Sequence, residues 1–232
     1  MIGEDEVHVW QARLDAPAPR IDALRDTLSP DERERAARFR FERDRERFIV
    51  ARGLLRRLLG EYLDLSPEQI RFGYGPRGKP FLAEPDDTLR FNLSHAGQIV
   101  LYALTRRRRI GIDIEHVRPV AALDTLCRHW LSPRENAMLS DLGDEARLLG
   151  FFNCWTRKEA YVKARGDGLD HPLDRFTVSL LPGEPARLLA VQDDPDESAR
   201  WSLQALTPAP DYVAALAVEG QGWDLRCRHW DW

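Results

Sequence analysis

Residues 109–119 read RIGIDIEHVRP. Ile110, Ile112 and Ile114 alternate with Gly111, Asp113 and Glu115, the period of two that marks a β-strand. Side chains two apart on a strand share a face, so Asp113 and Glu115 lie together, opposite the isoleucines. Two readings are open. One is a half-exposed strand with a wet side. The other starts from repulsion: like charges on one face disfavour each other unless a cation sits between them. Two oxygen ligands plus phosphates from a substrate suffice to hold Mg²⁺.

The next charged constellation is CWTRKEAYVKARGDGL, 154–169. Glu159 and Lys163 are four apart and so neighbours on a helix. They are either an exposed ion pair or a carboxylate and an ammonium set beside the acidic strand for phosphoryl transfer. Gly166 is placed to cap the helix and Gly168 to turn the chain.

Around these stretches the chain reads as two similar halves. LSPDERERAARF (28–39) has Ser29 at an N-cap, Pro30 at the first helical position and Glu32 completing a capping box. LSPRENAML (131–139) repeats it with Ser132 and Glu135. A long helix follows each, over 44–63 and roughly 146–165. FNLSH (91–95) is echoed by FTVSL (176–180). Residues 7–14 predict a first strand, 89–115 a run of strands, and 186–191, 201–206 and 212–218 the closing strands. GYGPRGKP (73–80) predicts a loop, and WDLRCRHWDW at the C-terminus only packing. The expected fold is α+β, with two pseudo-symmetric lobes, each a small, mainly antiparallel sheet packed with a long helix, and an active site at their interface. The lobes are placed at 1–110 and 111–232.

Composition narrows the class. The chain has 232 residues, 43% hydrophobic and 31% charged, with a net charge of −4; this is enough to bury a core and too acidic for a typical nucleic-acid binder. Of 34 basic residues only Lys79, Lys158 and Lys163 are lysines. Where arginine is the default, a retained lysine points to a need for a compact ammonium. Three distant cysteines form no metal or disulfide framework, and no apolar run approaches a membrane span. A cytoplasmic protein is expected.

With IGIDIE, FFNCWTRKEAYVKARGDGL, FNLSHAG and RGKP in that order, the chain resembles the 4′-phosphopantetheinyl transferase superfamily. Its length and doubled layout are similar to the two-lobed surfactin-type (Sfp-type) branch. The resemblance implies transfer of 4′-phosphopantetheine from coenzyme A to a serine of an apo acyl or peptidyl carrier protein, releasing 3′,5′-ADP. It implies Mg²⁺ held by Asp113, Glu115 and Glu159. Glu159 serves as ligand, general base or both, and Lys163 contacts the pyrophosphate and stabilises or protonates the leaving group. Ser94 and His95, placed in a turn, contact the coenzyme A 3′-phosphate, and Lys79 another of its phosphates. Arg47 lies near the 3′-phosphate, with Arg52 as a helper and Arg40 a looser match. Lys158 is mainly structural and Trp155 packs.

Other readings are weighed beside this one. His95 could merely cap a hairpin. RRRR at 106–109 could be a solvated turn or a basic rim attracting acidic carrier proteins. A Mg²⁺-dependent phosphohydrolase would use the same carboxylates without needing NLSH or RGKP. An Arg-rich nucleic-acid binder would use RFRFERDRERF, against the acidic balance, and a non-catalytic relative would not keep the acidic triad. Transient carrier partners, a monomer, and neither nucleic acid nor membrane as partner complete the expectation.

Overall fold

The computed structural model describes residues 2–76, 78–84, 88–166 and 172–232. Gly168 and Arg77 of the motifs above lie outside the described residues. In chain order the strands are β1 (Glu6–Arg13), β2 (Arg71–Tyr74), β3 (Pro80–Glu84), β4 (Leu89–Ala96), β5 (Ile99–Arg106), β6 (Ile110–His116), β7 (Phe176–Val178), β8 (Leu188–Val191), β9 (Trp201–Leu206), β10 (Tyr212–Glu219) and β11 (Asp224–His229). The helices are α1 (Ala18–Asp26), α2 (Pro30–Ala37), α3 (Glu42–Leu63), α4 (Leu123–Trp130), α5 (Pro133–Ser140) and α6 (Asp144–Arg165).

Two sheets stack at the centre. One has the order β11-β1-β5-β4, the other β6-β10-β9. All their pairings are antiparallel except β1 with β11, which is parallel. Val7, Val9, Leu101 and Ala103 of the first sheet meet Ile110, Ile112, Ile114, Leu216 and Val218 of the second in one apolar cluster. The opposite face of the first sheet, with Val100, Tyr102 and Leu104, packs under α3. Tyr102 donates to the Ala51 carbonyl at 2.8 Å, pinning helix to sheet. The opposite face of the second, with Ala215 and Ala217, packs under α6. The layers therefore run α3, sheet, sheet, α6. β5 is covered on both faces, which explains why IVLYAL is apolar without alternation.

The doubled LSP motif becomes the same device twice. Glu32 accepts a hydrogen bond from the Ser29 amide at 3.0 Å and pairs with Arg56 of α3 at 2.6 Å. Glu135 accepts from the Ser132 amide at 2.7 Å and pairs with Lys158 of α6 at 2.7 Å. In each half a buried cap glutamate ties a short helix to the 22-residue helix that follows.

Three expectations are corrected. Beyond the packing expected of the C-terminal stretch, which Trp230 and Trp232 show against the core, residues 224–229 form a strand: β11 lies beside β1, so the C-terminal end of the chain returns to the first sheet. It is mostly exposed and arginine-rich, and the apolar alternation that marks a strand is correspondingly faint. GYGPRGKP is no plain loop, because its ends belong to a β2–β3 hairpin in which Gly73 pairs with Phe81 and Tyr74 with Pro80; a proline is tolerated as the first residue of a strand. Ser94 and His95 sit on β4 rather than in the turn, which is confined to Gly97–Gln98.

Candidate active site

β6 answers the question its sequence poses, because neither of its faces is wet. The isoleucines meet the other sheet, and the Gly111–Asp113–Glu115 face lies under α6. The contact is possible because residue 111 is glycine: a Cβ there would overlap the Ala160 carbonyl and the Ala164 amide. Strand and helix run in opposite directions. Gly111 faces Ala160 and Ala164, Asp113 faces Lys163, and Glu115 lies beside Trp155. The spans match, since the strand from Gly111 to Glu115 covers about 13 Å and the helix from Trp155 to Ala164 about 13 Å.

Lys163 Nζ lies 2.6 Å from Asp113 Oδ1 and donates to Ser94 Oγ at 3.1 Å; Ser94 Oγ donates to Asp113 Oδ1 at 2.9 Å. β4, β6 and α6 are thus joined at one point. Asn92, two residues before Ser94 on the same face of β4, accepts the Ile112 amide at 2.8 Å and stitches the edges of the two sheets. The sequence reading gave Asn92 no role, although it stands inside FNLSH.

Charge at this seam is unbalanced. Burial, and then the Asp113 carboxylate, push the Glu115 carboxyl above its usual range. Burial does the same to Glu159, helped by Asp113 and Glu115 and opposed by Lys163. Asp113 Oδ2 and Glu159 Oε1 are buried without a hydrogen-bond partner. Among the described residues no three His, Cys, Asp or Glu side chains are drawn into one metal-holding group. Two orphaned carboxylate oxygens on facing elements, with three acids against one ammonium, nevertheless fit a hard divalent cation.

Beside the seam a cleft of about 620 Å³ opens between α3, β4 and α6. Arg47, Arg52, Ser94, His95 and Lys163 all line it, with Arg35, Phe39 and Phe48 as further wall residues. The sequence reading assigned none of these last three; Arg35 recurs in the Arg/Glu alternation of a solvated helix face and carried no separate signal. His95 is open to solvent at the mouth. Surrounding protein, then the Lys163 and Arg47 cations, hold its pKa below the ordinary imidazole value.

Other predicted residues lie elsewhere. Lys79 is not in the cleft wall; its ammonium donates to the main-chain carbonyls of Lys163 and of Ile110, the latter at 3.3 Å. Burial, then Lys163 and Arg90, lower its pKa to about 8. Arg40 stacks over Phe41 and is exposed. Lys158 is fully buried, donating to the Leu173 and Phe176 carbonyls at 2.5 and 2.7 Å besides Glu135. Trp155 packs against Phe151 and Trp130. In the RRRR turn Arg108 pairs with Asp5 at 2.8 Å, Arg107 with Glu4 at 3.7 Å and Arg109 with Glu219 at 3.5 Å, Arg107 and Arg109 staying exposed, and Arg106 donates to Ile2 and Thr88.

Comparison with known proteins matches the model described as the 4′-phosphopantetheinyl transferase superfamily to residues 109–217, the segment that carries β6 and α6. The model described as 4′-phosphopantetheinyl transferase, N-terminal, matches residues 16–106. The 4′-phosphopantetheinyl transferase HetI of Nostoc sp. is 43% identical over 97% of this chain and 93% of its own length. The chain belongs to the 4′-phosphopantetheinyl transferase superfamily. A phosphopantetheinyl transferase of Thraustochytrium sp. is 33% identical over 92% of this chain and 78% of its own length. The 4′-phosphopantetheinyl transferase Sfp of Bacillus subtilis is 32% identical over 66% of each chain. Within the superfamily the chain falls in the Sfp-type branch, and it is a phosphopantetheinyl transferase by class. Among the described residues no helix is long and apolar enough to cross a membrane.

Proposed function

We propose that the chain transfers 4′-phosphopantetheine from coenzyme A to a serine of an apo carrier protein, with Mg²⁺ held by Asp113, Glu115 and Glu159. One observation carries the reading: a cleft walled by Arg47, Arg52, Ser94, His95 and Lys163 opens directly beside the carboxylate seam. Three cations, a hydroxyl and an imidazole suit the phosphates of a nucleotide donor.

In this reaction the carrier serine oxygen attacks the β-phosphorus of coenzyme A. A P–O bond to that phosphorus forms, the bridging P–O bond breaks, and 3′,5′-ADP departs with the electron pair. Asp113, Glu115 and Glu159 would hold the divalent ion, which would supply neutralisation of phosphate charge. Glu159, raised in pKa and placed across from Asp113, receives the serine proton. Lys163 holds its ammonium where the departing phosphate gathers charge. Lys79 orders the end of α6 through the Lys163 carbonyl and so supports the lysine from behind.

We infer two lobes, residues 1–110 and 111–232, the first forming most of this cleft and the second adding Lys163 to its wall, in a monomer that works in the cytoplasm and meets carrier proteins transiently. The free thiols of Cys127, Cys154 and Cys227 agree with a reducing compartment. Incubation of the purified protein with Mg²⁺, coenzyme A and apo carrier proteins should give the phosphopantetheine adduct on the carrier by mass spectrometry. Cleavage of coenzyme A without carrier, and no adduct with it, would replace this reading by a phosphohydrolase.

A further inference from the structure

The two capping glutamates are built alike and end differently. In the second half every Lys158 N–H has an acceptor: Glu135, the Leu173 carbonyl and the Phe176 carbonyl. In the first half Glu32 faces two arginines. Its Oε2 meets Arg56 Nε at 2.6 Å, and Arg56 is satisfied further by the Pro67 and Ile70 carbonyls, each at 2.9 Å. Its Oε1 stands 3.5 Å from Arg52 Nε, too far for a good hydrogen bond. Both Glu32 Oε1 and Arg52 Nη1 are buried without a hydrogen-bond partner.

Arg52 is 93% buried, being 7% exposed, yet it lines the cleft. Its guanidinium lies 4.9 Å from the Phe72 ring and 6.0 Å from the Tyr74 ring, so the β2–β3 hairpin covers it. A guanidinium held by one carboxylate and an aromatic face has few rotamers left, and a buried donor without a partner is costly unless something supplies an acceptor. An anion in the cleft is the acceptor the site lacks.

Resting on the transfer reading, we propose that Glu32 is a positioning residue for donor binding. Through a loose ion pair it sets the Arg52 guanidinium at the cleft wall, so that the unsatisfied Nη1 is given to a phosphate of the donor nucleotide. Glu135, whose lysine has no donor left over, is the same device kept purely structural.

The test compares Glu32→Gln, Arg52→Gln and Glu135→Gln with the parent protein, using binding of 3′,5′-ADP by calorimetry, the KM for coenzyme A, kcat, and the thermal midpoint. In Glu32→Gln and Arg52→Gln, the dissociation constant for 3′,5′-ADP and the KM for coenzyme A should each rise about tenfold, roughly 1.4 kcal/mol. Their kcat at saturation should stay within about threefold, and Arg52→Lys should recover part of the affinity. Glu135→Gln should lower the midpoint and leave 3′,5′-ADP binding unchanged. Should Glu32→Gln not fold, Glu32→Asp, which keeps the charge and withdraws it from Arg52, takes its place with the same rise expected. Parental affinity in Glu32→Gln, whatever Arg52→Gln does, or an equal loss in Glu135→Gln, would overturn the positioning role while leaving the transfer reading intact. A parent protein that binds neither 3′,5′-ADP nor coenzyme A would sink both.

Discussion

Lys163 Nζ lies 2.6 Å from Asp113 Oδ1. The pair ties the last turns of α6 to the middle of β6, and Ser94 bonds to both partners from β4. Replacing Lys163 by Met should reduce kcat about 100-fold or more, the scale of losing one preorganised charge at a reacting group. Arg at 163 should not restore it, because a planar fork cannot occupy the place of a compact ammonium between Asp113 and Ser94. Steady-state kinetics of both variants check this.

Glu159→Gln should lose transfer and gain stability. Burial raises the Glu159 pKa. A carboxyl whose folded pKa exceeds its unfolded value destabilises the fold once pH rises above the unfolded value, and the penalty is relieved as pH falls through the folded pKa. At neutral pH the amide removes that penalty. The thermal midpoint of Glu159→Gln should therefore rise by a few degrees while kcat falls at least 100-fold. Mg²⁺ should raise the parent's midpoint and not the variant's. A variant that is both inactive and less stable would count against a charge-strained seam.

Gly111→Ala should cost stability and activity together. The new methyl meets α6 backbone at Ala160 and Ala164, which cannot yield as a flexible side chain would. Overpacking of this kind costs about 1–3 kcal/mol, measurable by urea denaturation. Displacement of α6 should lower kcat even where the variant remains folded.

Lys158→Met should destabilise the protein by about 3–5 kcal/mol, because it strands the Glu135 charge in the core. Adding Glu135→Gln to it should return part of that loss, and a double-mutant cycle measures the coupling. The KM for coenzyme A of whatever folds should be unchanged.

The Lys79 ammonium gives a pH signature. Its folded pKa, about 8, is below the ordinary lysine value of 10.5, so the protonated form disfavours folding. The penalty is full below pH 8 and fades as pH rises from 8 toward 10.5. The difference in unfolding free energy between parent and Lys79→Met should therefore shift in the parent's favour across that window. The ceiling is on the order of 3 kcal/mol. A flat difference would show that the carbonyl hydrogen bonds offset burial, and a reversed one that they outweigh it.

The regular parts of this fold were readable wherever a local rule governs. Alternation marked β1, β4, β6, β9 and β10; capping boxes with a following apolar face marked α2, α3, α5 and α6. The β2–β3 hairpin and β11 were not, because short or exposed strands carry little apolar periodicity, and what holds them is a partner distant in the chain. The same limit divided the site residues. Ser94, Asp113 and Lys163 were each marked for a separate role and the fold brings the three together, whereas Lys79 was expected on a phosphate and here binds two carbonyls. Glu32 could be seen as a helix cap, but nothing in LSPDE shows that its second oxygen faces Arg52.

Period and spacing along the chain were thus enough to put Asp113 with Glu115 and Glu159 with Lys163, since neighbours on one strand or helix are set by backbone geometry alone. Bringing the two pairs opposite each other, closing the wet-looking face of β6, and leaving Arg52 with an unused donor required packing of α6 on β6 and of α3 on β5. Those contacts join residues 40 and more apart. They depend on which surfaces can be buried together, a property of the whole folded core and not of any single stretch.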